Sequence, residues 1–346
     1  MKFDVIVGNP PYQGDAKQQI YTDFYLLGIN MASEVDMIFP IGWQSPKNAN
    51  NLSKMNKKYI KEDKQIVNID NLHNVFDGVA GAEWTNIVMW KKDYDNHLSG
   101  KQLVYTNGKD PKKVKLVTKK NDVDKPIEIT ELSQLVKKHF GFEPLQKITS
   151  VLKPYGLRTD VPKDPSKYQL PSIQDERFKK DDLELWTGGR GGRKIKYVPK
   201  NYPFPRVSEA LHSYKVLVPY AWGNWSESAG LGGAYSDIII AFPNVATTET
   251  WQESGNFTSL NIAKKHAKYL MTKFVRALLY VNKFSQHSTT AWGAVPIQDY
   301  SEDWWELSIS EINEKLFDKY HIPNEIRKFV NDNIQDKNES NIVNFK

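Results

Sequence analysis

The chain has no cysteine. That single absence removes disulfides, zinc–thiolate sites, iron–sulfur clusters and cysteine nucleophiles together. It also removes methylation of a cytosine ring carbon through a covalent thiol adduct. No apolar run is long enough to span a bilayer. The opening Met1-Lys2-Phe3-Asp4 is broken by charge and leads into a strand, unlike a secretory leader. Histidines such as His73, His97, His139 and His287 have no metal-ligand spacing, so no metal site is expected. These absences fit a cytoplasmic protein.

What is present fits a sizeable packed core. Of 346 residues, 40% are hydrophobic and 12% aromatic, which suits one large domain or two ordinary ones. The net charge of +6 and a pI near 9.0 suit a polyanionic partner.

Periodicity predicts the first elements. Phe3 to Gly8 reads as a short buried strand stopped by two prolines. Ile20, Tyr21, Phe24, Tyr25, Gly28 and Met31 recur at helical spacing, which predicts a helix over Ile20 to Ala32. Strands follow at Val35 to Pro40, Ile66 to Leu72 and Thr85 to Trp90, with a lysine-rich helix from Asn50 to Glu62. This β-α-β-α-β order predicts an α/β fold with a parallel or mixed sheet. Asp93 to Lys125 is rich in Lys, Asp and Asn and reads as a solvated hairpin and linker. Beyond Phe140 the chain turns rich in Pro, Gly, Tyr and Trp, with β-like runs. One amphipathic helix is predicted over Leu260 to Phe284, its apolar stripe being Leu270, Phe274, Ala277, Leu278 and Val281. Helices are expected from Ser310 to Tyr320 and from Pro323 to Asn333, then a frayed end. The expected division is 1–93 catalytic, 94–140 charged hairpin and linker, 141–300 recognition, and 301–346 helical tail.

The chemistry concentrates in Asn9-Pro10-Pro11-Tyr12. A bare Asn-Pro-Pro triplet is ordinarily a turn. Here an apolar strand runs straight into it, and strand C-termini are where open α/β sheets bind ligands. The group suits methylation of a planar amine. An adenine 6-amino nitrogen is a poor nucleophile because its lone pair is delocalised. The Asn9 side-chain oxygen and the Pro10 carbonyl can accept its two N–H bonds, and these contacts strengthen as the nitrogen becomes tetrahedral and positive. Tyr12 offers a face for the base, which must leave the duplex to reach such a site.

"FDVIVGNPPYQ" resembles the signature of adenine-specific DNA methyltransferases, and most closely the methylase part of bacterial restriction–modification enzymes with a following recognition domain. "VDMIFPIGWQ", "NLHNVFDGVAGAEWTNIVMW" and the stretch from Ala267 to Trp305 carry the likeness further. The resemblance implies the second half of a Rossmann-like methyltransferase sheet followed by a mixed α+β target recognition domain. It implies catalytic roles for Asn9, Pro10, Pro11 and Tyr12. It also implies S-adenosylmethionine as methyl donor, touched by Asn9 and Pro10, and double-stranded DNA as partner.

One departure is plain. The family builds its cofactor pocket from a glycine-rich turn and an acidic residue ahead of the tetrapeptide, and only eight residues precede Asn9. The candidates GGRGG (Gly188 to Gly192) and GLGG (Gly230 to Gly233) lack a strand–glycine–helix context. The expectation is therefore the C-terminal part of a methyltransferase, from a truncated or split gene or as one subunit of a two-chain enzyme: a half-sheet with an apolar edge at Val5 to Val7 that behaves poorly alone or is completed by a second chain supplying the cofactor-binding half.

Candidate DNA contacts lie farther on. Arg190, Arg193, Lys194 and Lys196 sit among glycines in "WTGGRGGRKIKY", and arginine can pair with guanine edges. A basic hairpin on a wet surface fits the same stretch. Lys265, Lys268, Thr272 and Arg276 share the helix face opposite the apolar stripe, which is either a DNA contact or an ordinary solvated face. "SQHSTTAWG", Ser285 to Gly293, lies near DNA in the family. Tryptophans such as Trp222, Trp225, Trp251, Trp292, Trp304 and Trp305 read as core anchors. Three other functions fit parts of the sequence. A DNA-binding module without activity fits the missing cofactor elements. Protein-glutamine methylation also uses Asn-Pro-Pro-Tyr, but in shorter chains. A nuclease would need a carboxylate–lysine cluster that the sequence does not display.

Overall fold

The structure, a computed structural model, describes residues 3–14, 19–44, 55, 65–72, 85–94, 102–106, 111–115, 126–188, 194–221, 225–226, 230–231, 235, 237–282 and 291–344. The chain divides into two compact units. The first is Met1–Glu131 with Asn224–Gly230; the second is Leu132–Gly223 with Leu231–Lys346.

The first unit is built on a six-stranded mixed sheet. Its strands are β1 (Phe3–Gly8), β2 (Ala32–Pro40), β3 (Ile66–Leu72), β4 (Thr85–Lys91), β5 (Gln102–Thr106) and β6 (Pro111–Lys115), in the order β1-β2-β4-β3-β5-β6. β1 runs parallel to β2, and β4 is antiparallel to both β2 and β3. Helix α1 (Tyr21–Met31) runs straight into β2 and packs against it. Gly28 permits that approach, because a Cβ there would lie 2.9 Å from Met37 Cε and 3.3 Å from Val35 Cγ1. Val35, Met37 and Phe39 alternate along β2 and are buried. Phe39 stacks on Tyr21 at 5.2 Å and meets Tyr25 and Trp43 edge-on at 5.7 and 5.9 Å.

The charged stretch expected as a solvated hairpin does form a hairpin in its described part, β5 with β6. That hairpin also extends the sheet, since β5 pairs in parallel with β3. The predicted helix over Asn50 to Glu62 lies outside the described residues except for Met55, which is helical and buried.

The second unit opens with α2 (Ile127–Lys138), whose first residues fall in unit one, and contains two smaller sheets. A three-stranded sheet holds β7 (Leu183–Thr187), β8 (Lys194–Val198) and β11 (Val245–Thr247) in the order β11-β7-β8. A four-stranded sheet orders β12 (Trp251–Phe257), β9 (Tyr214–Pro219), β10 (Ile238–Ala241) and β13 (Ile342–Asn344). The end expected to fray is therefore a strand in part: β13 adds in parallel to β10, and Val343 packs on the apolar cluster around Leu217 and Ile239.

The long predicted helix is two helices, α3 (Leu260–Met271) and α4 (Lys273–Val281), broken at Thr272. Thr272 takes an extended conformation. Its hydroxyl donates to Tyr269 O at 2.8 Å and accepts from Val275 N at 3.2 Å, so it serves both helix ends. Helices α5 (Ile309–Lys319) and α6 (Asn324–Asn333) pack on α4. A capping box closed by Ser308 and Glu311 starts α5.

Candidate active site and nucleic-acid contacts

Asn9 emerges at the C-terminal end of β1, one residue past the Gly8–Met37 pairing. It is exposed, as is Pro11, while Pro10 and Tyr12 are half-buried. β1 is an edge strand of the described sheet. Phe3, Val5 and Val7 point to the same face and are 43%, 51% and 72% exposed. Phe24 and Leu27 on α1 are likewise exposed. A Cβ built on Gly8 would meet nothing within 4 Å. Among the described residues the tetrapeptide therefore has one wall, and its other side is open.

Tyr12 is held from several directions. Its side chain packs against the apolar cluster of this unit, which includes Tyr21, Tyr25, Phe39 and Trp43. Its carbonyl accepts from Ile20 N at 3.3 Å, and Gln13 bridges to Gln19, closing a loop between strand and helix. Burial raises its phenol pKa, and a hydrogen bond from the Asn9 side chain offsets part of that rise. Nearby, Trp43 Nε1 donates to Asn86 Oδ1 at 3.3 Å across the ends of β2 and β4. On the sheet face that carries Val7, burial raises the carboxyl of Asp36, its register partner, above the usual range; nearby Glu34 adds to the rise.

The structure separates the candidate DNA contacts. Arg190 and Arg193 lie outside the described residues. Lys194 begins β8 opposite Thr187 and is exposed. Lys196 pairs with Asp175. The solvated helix face does not exist as expected. Thr272 is fully buried, and Arg276 is 1% exposed with its guanidinium donating to Gln335 O. The cause is the break at Thr272 together with the tail: α5 and α6 cover α4 from the side expected to be wet. Lys265 pairs with Glu306 at 3.2 Å and donates to Tyr300 O. Lys268 donates to Glu306 O and Leu307 O at 3.1 and 2.9 Å. Both lysines are tied to the segment that precedes α5.

Of "SQHSTTAWG", the described part is Ala291 onward, where Trp292 is buried and donates to Gln252 Oε1 at 3.0 Å. Trp251 and Trp305 are buried as expected of core anchors. Among the described residues no group of His, Asp or Glu could hold a metal ion. No helix among them is long and apolar enough to cross a membrane.

Sequence reasoning missed two buried polar networks in the second unit. Lys215, fully buried, donates to Ala210 O and Val245 O at 2.8 and 2.7 Å and faces Glu253 at 3.9 Å. His266 links Ser254 Oγ (2.8 Å, Nε2) to Tyr300 OH (2.6 Å, Nδ1), and burial pushes its pKa down to about 3. No motif marks either network, because each partner comes from a distant segment. Both are sealed inside the fold and read as packing devices.

Known proteins resemble the chain in the following ways. The sequence profile of the Eco57I restriction-modification methylase family matches residues 1–76. That is 76 of 346 residues, and it includes the tetrapeptide, α1 and β2. No curated protein matches. Among solved structures, the type IIL restriction-modification enzyme MmeI in complex with DNA aligns at TM-score 0.47 and 13% identity, over 93% of this chain and 50% of that one. The type IIG restriction endonuclease BpuSI aligns at 0.30 and 9%, over 90% and 45%. The methyltransferase subunit of a type I restriction-modification system from Streptococcus thermophilus aligns at 0.25 and 19%, over 30% and 26%. The chain thus spans half or less of each of these proteins. The methylase-family match over residues 1–76 contains Asn9 to Tyr12, at the end of β1.

Proposed function

We propose that the chain is the catalytic-edge and recognition part of an adenine-specific DNA methyltransferase of the restriction–modification kind. The observation that carries this reading is the placement of Asn9-Pro10-Pro11-Tyr12 at the C-terminal end of β1, inside the segment that matches the methylase family.

In this reading the Asn9 side-chain oxygen and the Pro10 carbonyl accept the two N–H bonds of an adenine 6-amino group turned out of the duplex. The nitrogen gains positive charge as its bond to carbon forms, so both acceptors hold the transition state more strongly than the substrate. Pro10 and Pro11 stiffen the backbone that aims the carbonyl. The Tyr12 ring, anchored in the core of its unit, limits the base to one plane. S-adenosylmethionine supplies the methyl group, and Asn9 and Pro10 are the residues of this chain assigned to contact it. The proton leaves the amine after transfer; no covalent enzyme adduct is needed.

The exposure of Asn9 sets a condition. An acceptor in open water offers an amine little that water does not, and electrostatic stabilisation works where water is excluded. The bare edge of β1, with Phe3, Val5 and Val7 facing outward, supplies the means. A cofactor-binding segment, from a second chain or elsewhere in the protein, is proposed to add a strand there and close the site. The second unit is assigned to DNA, with Lys194 the exposed member of its described candidates.

The test is methyl transfer from S-adenosylmethionine to unmodified duplex DNA, followed by nucleoside analysis. N6-methyladenine formation that disappears in Asn9→Ala is expected. Methyl groups on cytosine, or on a protein glutamine instead of DNA, would overturn the reading. Salt-sensitive DNA binding by a protein that never transfers a methyl group would identify the inactive specificity module instead.

A further inference from the structure

The two edges of the first unit's sheet carry opposite chemistry. β1 exposes Phe3, Val5 and Val7, whereas β6 reads Pro-Lys-Lys-Val-Lys. The distribution of charge sharpens the contrast. The chain holds 47 cationic and 41 acidic side chains, and seven of the former with one of the latter fall in residues 101–120. The rest of the chain holds 40 of each. The whole net charge of +6 therefore belongs to this hairpin and its flanks. Lys112, Lys113 and Lys115 are the members of that group on β6; its other four lysines lie outside the described residues.

Strand directions fix the end of the sheet at which the hairpin turns. β1 is parallel to β2, β4 is antiparallel to both β2 and β3, and β5 is parallel to β3. β1 and β5 therefore run the same way, and both end on the side of the sheet where Asn9 emerges. β6 returns antiparallel from that side, with Lys112 opposite Tyr105 and Lys113 opposite Val104. Lys112 and Lys113 thus stand next to the sheet end that carries the tetrapeptide. From β1 to β6 is five strand spacings, about 24 Å along the sheet and the length of about seven base pairs.

We propose that the β6 edge is a second, sequence-independent contact for duplex DNA, in which Lys112, Lys113 and Lys115 take backbone phosphates about seven base pairs from the target adenine. This rests on the DNA methyltransferase reading above and goes beyond it, because that reading assigns DNA to the second unit. A concentrated cationic stretch in an otherwise balanced chain selects a polyanion. Lysine and proline also protect an edge strand from unwanted pairing. Protection works with charge of either sign, so it does not explain why the whole cationic excess gathers on one hairpin. Phosphate contacts on the first unit hold the duplex in place while the second unit reads its sequence.

The test is duplex binding by the full chain, followed by fluorescence anisotropy from about 50 to 200 mM salt; it requires no methyl transfer. Three phosphate contacts contribute about 2.7 to the slope of log affinity against log salt. Lys112→Gln, Lys113→Gln and Lys115→Gln together are expected to remove that share, so that wild type loses about fortyfold more affinity than the variant over this range. Arginine at all three positions is expected to restore the slope, with discrimination between duplex sequences unchanged. Lys113→Gln alone, worth about 0.9 in slope, serves if the triple variant does not fold. A folded variant with the wild-type slope overturns the proposal, and so does wild-type protein that binds no duplex at the lowest salt. An unchanged slope with self-association of the variant assigns the lysines to edge protection instead. A reduced slope in the variant of a protein that forms no N6-methyladenine would count against the function and leave this contact standing.

Discussion

Val7 and Arg276 are each the reverse of what their side chains suggest. Val7, apolar and in a strand, is 72% exposed; Arg276, charged and in an amphipathic helix, is 1% exposed. The two residues belong to different units. In the second unit every face of α4 is covered: the tail helices close over it, and polar groups such as Lys215 and His266 are taken inside with partners. In the first unit a sheet ends in a strand whose apolar side chains meet solvent. One unit is finished by its own chain. The other presents an exposed apolar edge beside Asn9 to Tyr12, and such an edge is where a further segment is expected to dock.

The predictions test that contrast, the strongest first. Asn9→Ala removes a transition-state acceptor and is expected to lower methyl transfer on the order of a thousandfold, read as kcat with labelled S-adenosylmethionine, with no loss of thermal stability. Retained activity would place the chemistry elsewhere. Arg276→Ala, in the covered unit, is expected to cost about 3 kcal/mol in denaturant unfolding, because it leaves a cavity under the tail and strands Gln335 O. A negligible cost would mean that the tail does not need Arg276 inside.

His266 gives the covered unit a pH dependence. Its folded pKa, about 3, lies below the unfolded value near 6.5, so below pH 6.5 the unfolded chain takes up a proton that the folded chain does not. Stability from this group is full above pH 6.5 and falls with pH down to about 3, by about 2 kcal/mol at pH 5. Denaturant curves at pH 7 and pH 5 should show that fall in wild type and a flatter response in His266→Gln. Val7→Lys, on the open edge, is expected to change unfolding by less than about 0.5 kcal/mol. The same variant should weaken association with the cofactor-binding segment, measured by sedimentation. A large loss of stability would mean that Val7 is not on a free edge.

Much of the first unit was legible from local signals. The strand over Phe3 to Gly8 is stopped by prolines, though it is an exposed edge strand and not the buried one expected, the helix is marked by Tyr21, Tyr25 and Gly28, and β2 alternates along its length. The position of Asn9 at a strand end follows from the same cues. The second unit hid its organisation because partners are far apart in sequence. α4 has a clean amphipathic pattern, but whether the face bearing Arg276 is wet depends on helices that start near Ile309 and Asn324. The break at Thr272 turns on one hydroxyl that serves two helix ends. That Ile342–Asn344 would pair with Ile238–Ala241 is a contact across about a hundred residues, which no local periodicity encodes.

The central claim is methylation of adenine through Asn9, and it is best tested where every partner is present. Methylated bases would be mapped in the DNA of the native host and in the same cells carrying Asn9→Ala. The account predicts that adenines within one short sequence context lose their N6-methyl groups in the variant while other marks persist. Identical maps from the two strains would contradict it.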